Sequence, residues 1–255
     1  MTRIGIIPAR LASSRFPDKP LANILGMPMI GHVALRCKMC KDLDEVYIAT
    51  CDKKIVEYSE SIGIKAIMTA DTHERASDRT AEALLKIEKK TNQKADIVVM
   101  IQGDEPMVTP EMISASIQPM IESSEINVVN LMANINTKEE HEDPNEVKVV
   151  VDKNNFALYF SREPIPSRKK SVSEVPMLKQ VCIIPFRRDF LLEYNSMKQT
   201  PLEIIESVDM NRILENGLKV KMVFSEFQTY SVDTPEDLIV VEKLMMNDKL
   251  YQTYI

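Results

Sequence analysis

The chain has 255 residues, 44% of them hydrophobic, and a formal net charge of −6. That length holds one large α/β domain with a real core, and the apolar content excludes global disorder. The acidic balance, with no long basic block, argues against a nucleic-acid partner, and no apolar run approaches the roughly 18 residues of a membrane span.

The elements follow in chain order. Residues 4–7 form a short apolar strand that runs into a cationic loop. The loop holds Arg10, Arg15 and Lys19 against one acid, Asp18, with the hydroxyls of Ser13 and Ser14 between them. Pro8, Pro17 and Pro20 restrict its path. A loop at the carboxyl end of a first strand is where an open α/β sheet binds an anionic ligand, and three cations favour a polyphosphate over one carboxylate. The apolar stretch before Arg10 is too short for a signal peptide, so the expected location is the cytosol.

Residues 28–41 read as a helix, 46–50 as a strand, 53–62 as a helix closed by Gly63, 64–68 as a strand, 79–90 as a helix and 97–101 as a buried strand. This alternation predicts a parallel, multilayer sheet. The rhythm then changes. A helix at 110–121 precedes strands at 128–133, 147–151 and 157–160, a polar loop at 167–174 and a strand at 180–185. Helices at 187–194 and 201–216, a strand at 220–224 and a helix at 235–246 close the chain. The pattern predicts a single domain over 1–255 with a β-rich insertion at roughly 135–185.

Cys37, Cys40, Cys51 and Cys182 lack zinc-like spacing and are expected as free thiols. His32, His73 and His141 build no nucleophile–base pair with a nearby Ser or Cys, so hydrolase chemistry has no support.

Two acidic motifs stand out. Gln102-Gly103-Asp104-Glu105-Pro106 follows the buried strand at 97–101. Asp104 there either binds Mg²⁺, which takes one or two carboxylates beside phosphate and water, or caps the next segment. In Ser231-Val232-Asp233-Thr234-Pro235-Glu236-Asp237, Thr234, Pro235 and Asp237 are explained by helix capping. Asp233 is not, and is assigned to metal or substrate.

Seven blocks then occur in order: Ile7-Pro8-Ala9-Arg10, Ser13-Ser14-Arg15, Pro17-Asp18-Lys19-Pro20-Leu21, Gly26-Met27-Pro28-Met29-Ile30, the Gln102–Pro106 motif, Ala157-Leu158-Tyr159-Phe160-Ser161-Arg162, and Val232-Asp233-Thr234-Pro235-Glu236-Asp237. Together they resemble the 3-deoxy-manno-octulosonate (Kdo) cytidylyltransferases over essentially the whole chain. The resemblance implies a Rossmann-like nucleotidyltransferase fold and a homodimer joined through a β-rich dimerisation arm. It implies CTP, a 2-keto-3-deoxy sugar acid and Mg²⁺, with no nucleic-acid or membrane partner. The acceptor's anomeric hydroxyl attacks the α-phosphorus of CTP and pyrophosphate leaves. By matching positions, Lys19, Asp104 and Asp233 are the catalytic set, and Asp104 and Asp233 the metal ligands. Arg10, Ser13, Ser14, Arg15, Lys19, Arg79 and Gln102 fall on the nucleotide. Gln102, Arg162, Gln180, Ile184, Asp209 and Met210 fall on the sugar.

The chain departs from that pattern mainly on the sugar side. Gln180-Val181-Cys182-Ile183-Ile184 stands where relatives commonly carry His-Leu-Gly-Ile-Tyr, and Asp209-Met210-Asn211-Arg212 where they carry Glu-Gln-Leu-Arg. The loop from His73 to Arg79 also differs from the family's His-x-Ser-Gly-Thr-x-Arg. An acceptor other than plain Kdo is therefore expected. A nucleotide-sugar glycosyltransferase is a further alternative, and a sugar-1-phosphate nucleotidyltransferase fits less well, since it favours a more glycine-rich entry loop. A catalytically silent nucleotide-binding relative is disfavoured by Lys19, Asp104 and Asp233 occurring together.

Overall fold

The computed structural model describes residues 1–12, 16–169 and 175–255. Ser13, Ser14 and Arg15, and the end of the polar loop at 167–174, lie outside the described residues.

The chain begins with β1 (Arg3–Ala9), whose residues 4–9 are all buried, as a strand covered on both faces must be. A small hairpin of β2 (Asn23–Ile24) and β3 (Met27–Pro28) follows, with Leu25 (φ 48°) and Gly26 (φ 89°) making its turn. Then come α1 (Met29–Lys38), β4 (Glu45–Thr50), α2 (Lys53–Ser61), β5 (Lys65–Met68), α3 (Ala76–Thr91) and β6 (Ile97–Ile101). β1 pairs in parallel with β4 on one side and β6 on the other, and β4 pairs in parallel with β5. Successive connections therefore leave β1 in opposite directions. The crevice at the carboxyl ends of β1 and β6 is the switch point where such sheets bind ligands.

Alternate residues of these strands feed opposite layers. Ile4, Ile6, Val98 and Met100 pack with Ala83, Leu84 and Ile87 of α3. Ile7, Ile48, Val99 and Ile101 pack with Ile30, Val33 and Cys37 of α1. Fully burying each such side chain contributes about 1.5–3 kcal/mol, so the platform beneath the crevice is rigid.

The second half runs α4 (Pro110–Glu122), β7 (Val129–Asn134), α5 (Lys138–Glu142), β8 (Lys148–Val151), β9 (Ala157–Ser161), β10 (Leu178–Val181), β11 (Ile183–Arg187), α6 (Arg188–Ser196), α7 (Pro201–Glu206), α8 (Met210–Glu215), β12 (Lys221–Phe224) and α9 (Pro235–Met245). β11 joins the first sheet antiparallel to β6. The others form a second sheet in the order β12-β7-β10-β8-β9. Thus β8, β9 and β10 hydrogen-bond onward to β7 and β12, which lie outside residues 135–185.

Two expected elements are divided. The strand expected at 180–185 is two strands in two sheets: Gln180 pairs with Met132 of β7, while Ile184 pairs with Met100 of β6. Cys182 is the corner, and its carbonyl accepts from the Gln102 amide at 3.1 Å. The helix expected at 201–216 breaks at Ser207, which takes the left-handed conformation (φ 53°). Glu206 has turned its carboxylate onto β9, accepting from Tyr159 (2.9 Å), Ser161 (2.8 Å) and the Arg162 amide (2.8 Å). Helix α3 begins at Ala76 rather than 79, and α5, capped by Thr137, was not anticipated.

Candidate active site

The loops after β1 and β6 are packed together by Gly103. A Cβ there would sit 2.9 Å from Ile30 Cδ1 and 3.3 Å from the Pro8 carbonyl, so a side chain would have to push both neighbours back. The next residue is Asp104. Lys19, at the start of a 3₁₀ turn over Lys19–Leu21, donates from Nζ to Asp104 Oδ2 at 2.8 Å and to the Val232 carbonyl at 2.8 Å. Its Nζ also lies 3.4 Å from Asp233 Oδ1. The Val232 amide returns a bond to the Asp104 carbonyl at 2.9 Å. The three residues expected to be catalytic therefore converge on one point. Burial pulls the Lys19 pKa down, but the Asp104 and Asp233 carboxylates outweigh it and hold the ammonium above its ordinary value.

Asp233 stands just outside α9. Thr234 caps that helix, its Oγ1 accepting from the Asp237 amide at 3.2 Å, and Asp237 Oδ2 accepts from the amides of Thr234 (2.8 Å) and Asp233 (3.0 Å). The capping role read for Thr234 and Asp237 is thus realised, and the box also fixes the Asp233 backbone. Behind it, Val232 packs with Ile24, Met29, Val241 and Met245 in a separate small cluster.

On one side of Lys19 lies a cleft of about 350 Å³ lined by Arg10, Lys19, Arg79, Gln102, Gly103 and Asp104, among others. Arg10 donates to the His73 carbonyl at 3.3 Å. Arg79 is 3% exposed; its Nη1 donates to Thr69 Oγ1 (2.5 Å) and the Ala70 carbonyl (3.2 Å), while its buried Nη2 has no hydrogen-bond partner among the described residues. A buried guanidinium with an unspent donor is suited to an oxygen-rich ligand.

A second cleft, of about 370 Å³, shares Glu74, Arg75, Ala76, Gln102 and Asp104 with the first and continues past Arg162, Gln180, Asp209 and Asp233. Gln180 Nε2 donates to Asn130 Oδ1 at 2.6 Å. Asp209 is held by Arg75 (3.3 Å) and Ser77 (3.0 Å); burial raises its pKa, and Arg75 and Ser77 only partly offset this. Ile184 and Met210 border this cleft but are core residues, 2% and 0% exposed. The described residues expected on the nucleotide thus line one cleft, and those expected on the sugar line its neighbour.

Several residues of the second cleft were not anticipated: Arg75, Glu105, Asn145, Glu146, Cys182 and Ser207. Arg75 sits at the N-cap of α3, which begins three residues earlier than its apolar pattern. Glu105 is buried, and burial together with Asp104 pushes its pKa up to about 8.

Two carboxylates that share one ammonium are a fair donor set for a hard divalent cation. Among the described residues no group of three His, Cys, Asp or Glu side chains could hold a metal alone. An ion held by these two carboxylates would need its remaining oxygens from phosphate and water, as Mg²⁺ accepts.

The cytidylyltransferase family profile matches residues 4–222. The 3-deoxy-manno-octulosonate cytidylyltransferase of Thermodesulfovibrio yellowstonii is 42% identical, over 96% of this chain and 98% of the relative. That of Geobacter metallireducens is 40% identical, over 94% and 96%. A solved structure of CMP:2-keto-3-deoxy-manno-octonic acid synthetase complexed with CTP superposes with a TM-score of 0.87 at 36% identity, covering 96% of this chain and 99% of that one. A cytidylyltransferase from Leptospira borgpetersenii, at 17% identity and a TM-score of 0.64, shares the fold. No helix among the described residues is long and apolar enough to cross a membrane.

Proposed function

The chain belongs to the 3-deoxy-manno-octulosonate cytidylyltransferase family, and from that membership we propose that it transfers CMP from CTP to the anomeric hydroxyl of Kdo or a closely related 2-keto-3-deoxy sugar acid. The observation that carries this reading is the meeting of Lys19, Asp104 and Asp233 where two adjoining clefts share Gln102 and Asp104. One cleft takes the triphosphate, the other the sugar acid, and the reacting atoms meet between them.

In this mechanism Arg10, Lys19 and Arg79 neutralise the triphosphate oxygens, with Ser13, Ser14 and Arg15 of the same loop joining them. Gln102 stands between nucleotide and acceptor. Arg75, Arg162, Gln180 and Asp209 orient the sugar acid, bringing its hydroxyl in line with the α-phosphorus. The hydroxyl oxygen forms a bond to the α-phosphorus, the bond to the bridging oxygen breaks so that pyrophosphate leaves, and the hydroxyl proton passes to water. Asp104 and Asp233 would hold a Mg²⁺ ion, which when bound would supply charge neutralisation and lower the pKa of the attacking hydroxyl.

The reaction draws on CTP, which favours a cytoplasmic location. A homodimer through the 135–185 segment is supported by β9, the outer strand of its sheet, where Leu158 is 61% exposed. Light scattering tests that contact. The function is tested by incubating the protein with CTP, Mg²⁺ and Kdo and following pyrophosphate release and product mass. A CMP–sugar adduct supports the reading, and no pyrophosphate across a panel of ulosonic acids overturns it.

A further inference from the structure

Lys148 lies in β8 and is wholly buried. A buried ammonium is costly unless each of its three N–H donors finds an acceptor. Here each does: Nζ donates to the carbonyls of Asp143 (2.8 Å), Glu146 (2.7 Å) and Arg162 (2.5 Å). Two of these belong to the loop that enters β8 and the third to the residue that leaves β9. The lysine therefore clamps the 143–146 loop against Arg162 rather than neutralising an acid.

Arg162 passes the constraint on. Its Nη1 donates to the Pro144 carbonyl (2.7 Å), its Nε to the Glu206 carbonyl (2.7 Å) and its Nη2 to the Ser207 carbonyl (3.5 Å). Its guanidinium is thus a strut between the 143–146 loop and the corner joining α7 to α8. Ser207 Oγ in turn accepts from Arg75 at 3.3 Å, and Arg75 holds Asp209. Beside Lys148 in register, Lys179 reaches the carboxylates of Glu140 (2.7 Å) and Glu146 (3.1 Å), a second tie on the same loop. Asn145, Glu146, Arg162, Ser207 and Asp209 all line the acceptor-side cleft, and none of them lines the nucleotide-side cleft. Lys148 lines neither.

We propose that Lys148 is a positioning residue for the sugar-acid acceptor: its ammonium, satisfied by three backbone carbonyls, fixes through Arg162 the wall on which the acceptor is oriented. The proposal rests on the CTP-dependent reading above. It assigns Lys148 no contact with either substrate.

The test compares wild type with Lys148→Met, which keeps the chain length and removes all three donors, and Lys148→Gln, which keeps two. Each substrate is varied at saturation of the other. Lys148→Met is expected to raise the acceptor KM roughly 10-fold or more, as loss of orientation does, with the CTP KM within about twofold of wild type. Lys148→Gln falls between, and carries the test alone if the methionine variant does not fold. Equal rises in both KM values, or a lowered Tm with both unchanged, overturn the proposal and leave Lys148 a purely structural residue. Amide hydrogen exchange supplies a readout free of activity. Exchange should quicken at 143–146 and also at 206–209, beyond Arg162, but not at 19–22; an unchanged 206–209 segment overturns the strut. A wild type that releases no pyrophosphate with any ulosonic acid sinks the functional reading instead, and the exchange result then decides the strut by itself.

Discussion

Lys19 donates to Asp104 at 2.8 Å across 85 positions of sequence, tying the loop after β1 to the loop after β6. The same ammonium meets the Val232 carbonyl and lies near Asp233, so a third loop joins them. One cation thus holds together two carboxylates that would otherwise repel. The same ammonium is placed to pair with phosphate oxygens of a bound nucleotide. Lys19→Ala should therefore raise the CTP KM and lower kcat together. A charge-assisted hydrogen bond contributes about 1.5–3 kcal/mol, or roughly 10- to 150-fold in kcat/KM. Steady-state pyrophosphate release measures it, and kinetics unchanged in CTP would remove this loop from the site.

Asp104→Asn and Asp233→Asn are each expected to reduce turnover to near background while the fold persists. Asparagine keeps the shape and loses the charge that both Lys19 and a hard cation require. Circular dichroism and Tm report the fold, and a magnesium titration reports the site. A fully active Asp233→Asn, or a wild type indifferent to chelator, would refute the shared-ion arrangement.

The cap of α9 serves both stability and the site. Thr234→Ala removes the bond to the Asp237 amide and should cost about 1 kcal/mol, the usual loss for a threonine cap. Asp237→Ala also frees the Asp233 amide, so its effect on turnover should exceed that of Thr234→Ala at similar stability loss. Urea denaturation and kcat on the two variants separate these effects. Equal turnover in both would show that the box does not steady Asp233.

The parts of the site that announced themselves were those whose meaning is local. Asp104 follows an uninterrupted apolar strand, and Asp233 is the acid left over once the capping pattern is accounted for. The parallel half of the fold was legible for the same reason, since β1, β4 and β6 each carry an apolar run bounded by polar turns. What stayed hidden depends on distant partners. Lys148 looks like one polar residue in a strand until β9 brings the Arg162 carbonyl to it. Cys182 lies within a continuous apolar stretch, so nothing nearby marks where the chain changes sheets. Ser207 breaks a plausible helix at the point where the Glu206 carboxylate accepts from Tyr159 and Ser161 of β9. These are tertiary decisions, and they cluster around the cleft proposed for the acceptor, where the sequence also departs most from the family it resembles.

That departure leads to the riskiest expectation. The cleft proposed for the acceptor is bordered by Met100, Cys182, Ile184, Val208 and Met210, a wall without a strong hydrogen-bond donor, as well as by the polar Arg75, Arg162 and Asp209. Gln180 has its amide engaged with Asn130 and is not free to turn to that wall without breaking a 2.6 Å bond. A hydroxyl placed against the wall would lose its water partners and gain none. Kdo should be turned over, and an acid with a deoxy or otherwise less polar distal carbon should be turned over better, by at least the roughly 10-fold that one altered apolar contact gives. The comparison is kcat/KM for Kdo against a series of distally substituted 2-keto-3-deoxy acids at saturating CTP. Ile184→Tyr should narrow the difference by returning a hydroxyl to the wall. If plain Kdo is the best acceptor and Ile184→Tyr leaves the ranking unchanged, then Ile184 and Met210 are core packing alone and the wall does not select.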